Sequence, residues 1–265
     1  MYDFQYVRPA NVVEAKAALA GSNEAVLLAG GQTLIPTLKQ RLRQPSVVID
    51  LGGVRNLGEV QIMKDKIMIG AMTTHAVVAA SPILKKRLPG LAALAGGIGD
   101  PHVRNRGTIG GSIANADPAA DYPAAVVALN ADIVTERRTI SSDSFFKGLF
   151  ETALARDEIV TSVHFKVPEA AAYAKFPNPA SRYALVGVFV AKFKDGVRVA
   201  VTGAGPRVFR LSVMEDALSS NFSPAALNGI AVESGGLNSD LHAAADYRAH
   251  LIGVMARRAV AAAGG

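Results

Sequence analysis

Two glycine-rich stretches hold most of the chemical potential of this chain. The first, Leu28-Ala29-Gly30-Gly31-Gln32-Thr33-Leu34, leaves an apolar strand and enters a helix. Glycine lets the main chain come close to an anion, and amides at the start of a helix point outward with partial positive charge. A diphosphate suits such a turn, although a plain tight turn after a strand uses the same residues. The second stretch runs from Arg106 to Asp121 and contains Gly107, Thr108, Ile109, Gly110, Gly111 and Ser112, then Asp117 and Asp121. Carboxylates repel phosphate, so their place would be among the hydroxyls of a ribose or ribityl chain, from which an aspartate can accept hydrogen bonds. Otherwise they cap the helix whose first turn holds Pro123.

Neither stretch is a Rossmann fingerprint or a P-loop, because Gly-x-Gly-x-x-Gly and Gly-Lys-Ser/Thr are both missing. Two separated segments clasping one diphosphate with their amides would serve instead. The five histidines show no metal-ligand spacing. His75 and His102 adjoin motif glycines, which places them either near a cofactor or, as the preferred reading, among surface or internally satisfied loop residues. Arg104 and Arg106 pair with a diphosphate or with nearby carboxylates. No general acid, base, nucleophile or metal ligand is nominated.

The elements around these stretches alternate. Asn11 is placed to cap a helix over Val12–Ala20, Val26–Ala29 and Ser46–Asp50 are short apolar strands, and Thr33–Leu42 shows helical spacing of Leu34, Leu38 and Leu42. This β-α-β order implies a small parallel sheet. A hairpin over residues 60–69 follows, then helices over 74–80 and 82–95, a glycine-rich passage over 96–111, and a helix over 121–130. Strands are expected at 133–135 and 159–167. Three prolines and an alanine run make 168–179 the candidate domain boundary. Beyond it, strands 183–193 and 197–202 meet at Asp195-Gly196, and helices are expected at 212–220, 224–232 and 243–263.

Composition sets the outer limits. Half of the 265 residues are hydrophobic and 19% are charged, as in a globular protein. There is no cysteine, which excludes disulfides, thiolate zinc sites and iron–sulfur clusters held by this chain alone. The net charge of +6 is spread over clusters such as Lys39–Arg43, Lys85–Arg87 and Arg257–Arg258, which read as solvated helix faces and not as a nucleic-acid stripe. The N-terminal Met1–Gln5 has no Sec-type character, and no apolar run reaches membrane-spanning length, so a cytoplasmic location is expected.

Several of these phrases together resemble a known family. Ala29-Gly30-Gly31-Gln32-Thr33-Leu34-Ile35-Pro36, Thr108-Ile109-Gly110-Gly111-Ser112 and Asp117-Pro118-Ala119-Ala120-Asp121 are similar to the FAD-binding medium subunits of molybdenum hydroxylases. The likeness is greatest to those of aerobic carbon monoxide dehydrogenases, whose relatives include the flavin domain of xanthine dehydrogenase. It extends through Gly70–His75, Asp100–Gly107 and Asp246-Tyr247-Arg248, in the same order and over nearly the whole chain.

The resemblance implies an α+β fold: a two-part FAD-binding domain of the PCMH (vanillyl-alcohol-oxidase) type over residues 1–170, divided at 55, and a small α+β C-terminal domain over 171–265. It implies that Leu28, Ala29, Gly30, Gly31, Gln32, Thr33 and Leu34 enclose the FAD diphosphate with Thr108, Ile109, Gly110, Gly111 and Ser112. Asp121 would contact the sugar-like portion, Ile98 and Ile159 would give apolar or backbone contacts, and Lys175 a polar one. Tyr183 would lie near the isoalloxazine, or else fill a strand core. The implied partners are a large molybdenum-binding subunit and a small iron–sulfur subunit, in a dimer of heterotrimers. The molybdenum cofactor and the clusters would sit on those subunits. A self-contained flavoenzyme on the same fold, or a binding module without redox function, are the alternatives.

Overall fold

The computed structural model describes every residue from Met1 to Gly265. The chain opens with β1 (Gln5–Val7), α1 (Val12–Ala20), β2 (Ala25–Leu28), α2 (Leu34–Lys39) and β3 (Val47–Asp50). The strands form a parallel sheet in the order β1-β3-β2, as the β-α-β reading requires. Asn11 caps α1 by accepting from the Glu14 amide at 2.9 Å, and the Glu14 carboxylate accepts in return from the Ala10 amide at 2.9 Å. This reciprocal arrangement fixes where the helix starts. Helix α2 is shorter than its leucine spacing predicts. Arg41 turns left-handed (φ 58°) and the Leu42 amide reaches back to the Thr37 carbonyl, so Leu42 is 71% exposed and leaves the apolar face.

The middle of the chain builds a five-stranded antiparallel sheet in the order β4-β5-β10-β6-β7. Its members are β4 (Val60–Met63), β5 (Lys66–Gly70), β6 (Asp132–Thr135), β7 (Thr139–Ser141) and, after the small hairpin β8 (Phe146–Gly148) and β9 (Glu151–Thr152), β10 (Val160–Lys166). Helices α3 (His75–Ala80), α4 (Pro82–Arg87), α5 (Pro89–Gly96), α6 (Pro101–Arg106), α7 (Ile109–Asn115), α8 (Tyr122–Ala128) and α9 (Ser142–Phe145) lie between β5 and β8 in sequence. The single helix expected over 82–95 is broken at Leu88 (φ −138°, ψ 57°), because a residue before proline is driven out of the α region. The passage over 96–111 is largely helical. Asp100 caps α6 by accepting from the Val103 amide at 2.9 Å, and Thr108 caps α7 by accepting from the Gly111 amide at 3.1 Å. Its glycines hid two helices.

The last sheet is antiparallel, β11 (Ala170–Pro177), β12 (Ala184–Phe193), β13 (Gly196–Thr202) and β14 (Phe209–Arg210), with α10 (Ser212–Ser220) and α11 (Ala245–Ala262) behind it. Most of the proline-flanked stretch read as a boundary is therefore the edge strand β11, paired along its length with β12. Tyr183 lies just before β12, on the connecting loop. The helix expected over 224–232 contracts to a 3-10 turn at Pro224–Leu227. Strand β12 is buried on both faces. Val186, Val188 and Val190 join α10 and α11 in one core, while Phe189 and Ala191 join the larger core under α5 and α8. No helix is long and apolar enough to cross a membrane.

Candidate functional site

A cleft of about 450 Å³ opens where the first sheet meets the middle unit and the loop before β12. Its first wall is the turn from β2 into α2. Gly30 packs backbone to backbone on the junction of α6 and α7: a Cβ there would lie 2.2 Å from the Arg106 carbonyl oxygen and 2.6 Å from Gly107 Cα. Only glycine allows this approach. Beyond that contact the amides of Gly30, Gly31, Gln32, Thr33 and Leu34 donate to no acceptor in the chain. Successive unpartnered amides in a concave turn form an anion-binding nest.

The second glycine stretch contributes differently. The Ile109 amide donates to the Thr73 carbonyl (3.1 Å), Gly110 to Ala71 (2.9 Å), Gly111 to Thr108 Oγ1 (3.1 Å) and Ser112 to the Thr108 carbonyl (3.0 Å). These amides are spent on positioning α7. Of Thr108–Ser112 only the Thr108 amide is left without an acceptor, so the first segment supplies most of the free amides and the second, apart from Thr108, a close-packed wall. Gly110 sits where a Cβ would be 2.5 Å from Ala71 Cβ, so its missing side chain seats α7 on the end of β5.

Of the residues named from the sequence, Ala29, Gly30, Gly31, Gln32, Thr33, Leu34, Ile98, Thr108, Gly110, Gly111, Ser112, Asp121, Ile159 and Tyr183 line the cleft. Leu28, Ile109 and Lys175 do not. Ile109 is fully buried in the core beneath α7, and the Leu28 side chain packs beside Gly31 and Ile35. The Lys175 ammonium donates to the Gly97 carbonyl (3.0 Å), the Arg182 carbonyl (3.0 Å) and Asp121 Oδ2 (3.1 Å), which uses its three donors within the protein.

Asp121 is buried at the back of the cleft and accepts from both Lys175 and the Tyr173 hydroxyl, the latter at 2.5 Å onto Oδ1. Burial raises its carboxyl above the usual range, against the pull of the Lys175 ammonium and the Tyr173 hydroxyl. It makes no capping bond to α8. Asp117 accepts from the Ala119 amide at 2.9 Å and is raised by burial. Tyr183 stands half-exposed at the mouth, its phenol raised first by partial burial and then by the charges of Asp117 and Asp121.

Three contributors were misplaced or unread. His75 is neither on the surface nor satisfied by the loop: it is 5% exposed, lines the cleft, and makes no side-chain hydrogen bond. Burial, and then the nearby Arg104 charge, pull its imidazole down to about 4. Its place beside Gly107 was the available signal. Arg43, grouped with a solvated helix face, reaches the cleft as the chain leaves α2. Tyr173 carries no local signal, because the partner that gives it meaning is Asp121, far away in sequence.

The chain matches the family described as the FAD binding domain in molybdopterin dehydrogenase over residues 2–169. It is 38% identical to the nicotine 6-hydroxylase medium subunit of Paenarthrobacter nicotinovorans, across 98% of this chain and 97% of that one. It is 36% identical to the carbon monoxide dehydrogenase medium chain of Hydrogenophaga pseudoflava, across 98% and 96%. A solved carbon monoxide dehydrogenase from Hydrogenophaga pseudoflava, lacking the Mo-pyranopterin moiety of its cofactor, superposes with a TM-score of 0.90 at 35% identity, covering 99% of this chain and 98% of that one.

Proposed function

The chain belongs to the FAD-binding subunits of molybdenum hydroxylases, and from that premise we propose how its cleft serves a flavin. The observation that carries the reading is the run of unpartnered amides from Gly30 to Leu34, opening into a cleft that the rest of the chain leaves clear. A dinucleotide diphosphate fits that donor set, since the amides need acceptors and the turn has no side chain at Gly30 or Gly31 to block them.

In this reading Gly30–Leu34 bind the diphosphate, and Thr108, Gly110, Gly111 and Ser112 form the wall against which it rests. Asp121 faces the sugar-like portion, while Ile98 and Ile159 shield it from water. Tyr183 stands by the ring. Leu28, Ile109 and Lys175 act from behind: Lys175 orients Asp121, Ile109 anchors α7, and Leu28 backs the turn. When bound, FAD accepts electrons singly and releases them singly or in pairs, and the protein supplies position and electrostatics.

The subunit works in a complex with a large molybdenum-binding subunit and a small iron–sulfur subunit. We further infer a dimer of such heterotrimers, a cytoplasmic location, and a division into a flavin domain over residues 1–170, itself parted at 55, and a C-terminal domain over 171–265. Lack of cysteine supports this division of labour, because cluster ligands must come from another chain.

The test is the visible spectrum of the purified chain and of the co-expressed complex, with identification of released cofactor. A flavin spectrum and stoichiometric FAD are expected. A colourless chain that cannot be reconstituted with FAD would overturn the reading. Turnover of an organic substrate by the chain alone would turn it into a self-contained enzyme.

A further inference from the structure

We propose that His75 is a cofactor-binding residue, whose imidazole hydrogen-bonds to an oxygen of the ribityl–diphosphate stretch. The inference depends on the cleft being the flavin site, and deepens that reading by adding a side chain outside both glycine segments. His75 opens α3, and its amide donates to the Gly107 carbonyl at 2.9 Å. Its backbone is thereby tied to the junction against which Gly30 packs.

The side chain stands over the same junction. A Cβ at Gly107 would lie 2.5 Å from His75 Nε2, so the glycine makes room for the imidazole. Nδ1 is buried and has no partner. Nε2 has none within the chain either. A neutral imidazole carries one donor and one acceptor, and buried polar groups are almost always satisfied. The immediate neighbours do not satisfy it. The Tyr122 ring lies 5.2 Å away and its own hydroxyl is also unpartnered. Arg104 has donors only, and its Nη1 is spent on the carbonyls of Ile98 and Gly99. Nδ1 is sealed off, so the nitrogen that a molecule in the cleft can meet is Nε2, on the side of the ring that faces Gly107. Because Gly107 separates His75 from Gly30 by one backbone thickness, the part of the dinucleotide within reach is the oxygen-rich stretch held by the free amides, not the flavin ring. Burial keeps the imidazole neutral at physiological pH, so Nε2 either donates or accepts according to the tautomer.

The test uses the full chain, with His75→Phe and His75→Gln. Affinities for FAD, FMN and riboflavin are read from quenching of flavin fluorescence, and the melting temperature of each flavin-free protein is recorded. The tautomer signals of the labelled histidines are followed with and without FAD at fixed pH. We expect His75→Phe to keep its melting temperature and bind FAD about tenfold more weakly, the size expected for one hydrogen bond, and His75→Gln to recover part of the loss. In the wild type the His75 ring signals should shift on adding FAD. An equal loss for riboflavin places the contact on a ribityl hydroxyl; a loss confined to FAD and FMN places it on a phosphate. FAD binding by His75→Phe as tight as by wild type, or His75 signals unmoved by bound FAD, would overturn the proposal and leave the flavin site intact. If His75→Phe does not fold, the wild-type ring signals decide alone. A wild type that takes no FAD overturns the cleft assignment, and this inference with it.

Discussion

The Lys175 ammonium meets Asp121 Oδ2 at 3.1 Å behind the cleft, with the two side chains only 12% and 5% exposed. Lys175 leaves β11 and Asp121 precedes α8, so one ion pair joins the last sheet to the cleft wall. Removing one partner of a buried pair strands the other charge, which costs about 3–5 kcal/mol. Lys175→Met should therefore lower unfolding free energy by roughly that amount and weaken FAD binding. Lys175→Met combined with Asp121→Asn should recover part of the stability but not the affinity. Urea denaturation of the single and double variants checks both.

Gly30 and Gly58 make a controlled pair. A Cβ at Gly30 collides with backbone that cannot swing aside, whereas one at Gly58 has nothing within 4 Å. Gly30→Ala should separate the two walls of the cleft, abolish FAD retention and lower the melting temperature. Gly58→Ala should leave both unchanged. Flavin content per chain after gel filtration gives the comparison, and equal content in the two variants would contradict the packing argument.

The reach of the sequence can be judged from these same residues. Asn11 and Pro123 act within a few residues of themselves, and the structure uses each as its spacing implies. The glycine turn after β2 was legible for the same reason. The hairpin read at Asp195-Gly196 turns one residue earlier, at Lys194-Asp195, because Gly196 already pairs with Phe193. Local signals failed where a residue's role depends on distant chain. Thr108 capping α7 turned an apparent loop into a helix whose amides are already used, and β11 exists because β12 is there to pair with it. Lys175 entered through the resemblance, which carries its polar character but not the three acceptors that surround it here. His75 was read first as a surface or satisfied residue because burial without a partner is visible only in three dimensions.

Acid should destabilise the flavin-free protein in two stages. The His75 imidazole is lowered by burial to about 4 from an ordinary 6.5, so the unfolded chain binds its proton first. Stability is then full above about pH 6.5 and falls as pH drops towards 4, by on the order of 3 kcal/mol. Glu158, buried against Arg138, is held at about 2, chiefly by the Arg138 hydrogen bonds at 2.8 Å. Its contribution is present above the unfolded value near 4.5 and is lost between there and 2. Denaturant midpoints across pH should show both slopes. In His75→Phe the upper slope should vanish and the lower remain.

Arg248 ties the C-terminal helix to the cleft from a distance. Its guanidinium is buried in α11 and donates to the carbonyls of Leu185 (2.7 Å) and Gly203 (3.0 Å) and to Asp240 (2.8 Å). Those carbonyls lie beside the place where the last sheet grips the Asp117–Asp121 segment: the Gly203 amide donates to Pro118, the Ala184 amide to Ala119, and Thr202 Oγ1 to Ala120. The planar fork matters here, because one cation must reach several acceptors in fixed directions. Arg248→Lys should behave almost as badly as Arg248→Met, each losing about 2–4 kcal/mol by leaving buried acceptors without donors. Both should also slacken Tyr183 and Asp117, which this grip holds at the cleft. FAD would then dissociate faster from either variant than from Arg258→Met, which removes a charge from an exposed position of the same helix. If Arg248→Lys matched wild type in both thermal unfolding and flavin release, the fork would be irrelevant and α11 would be held by apolar packing alone.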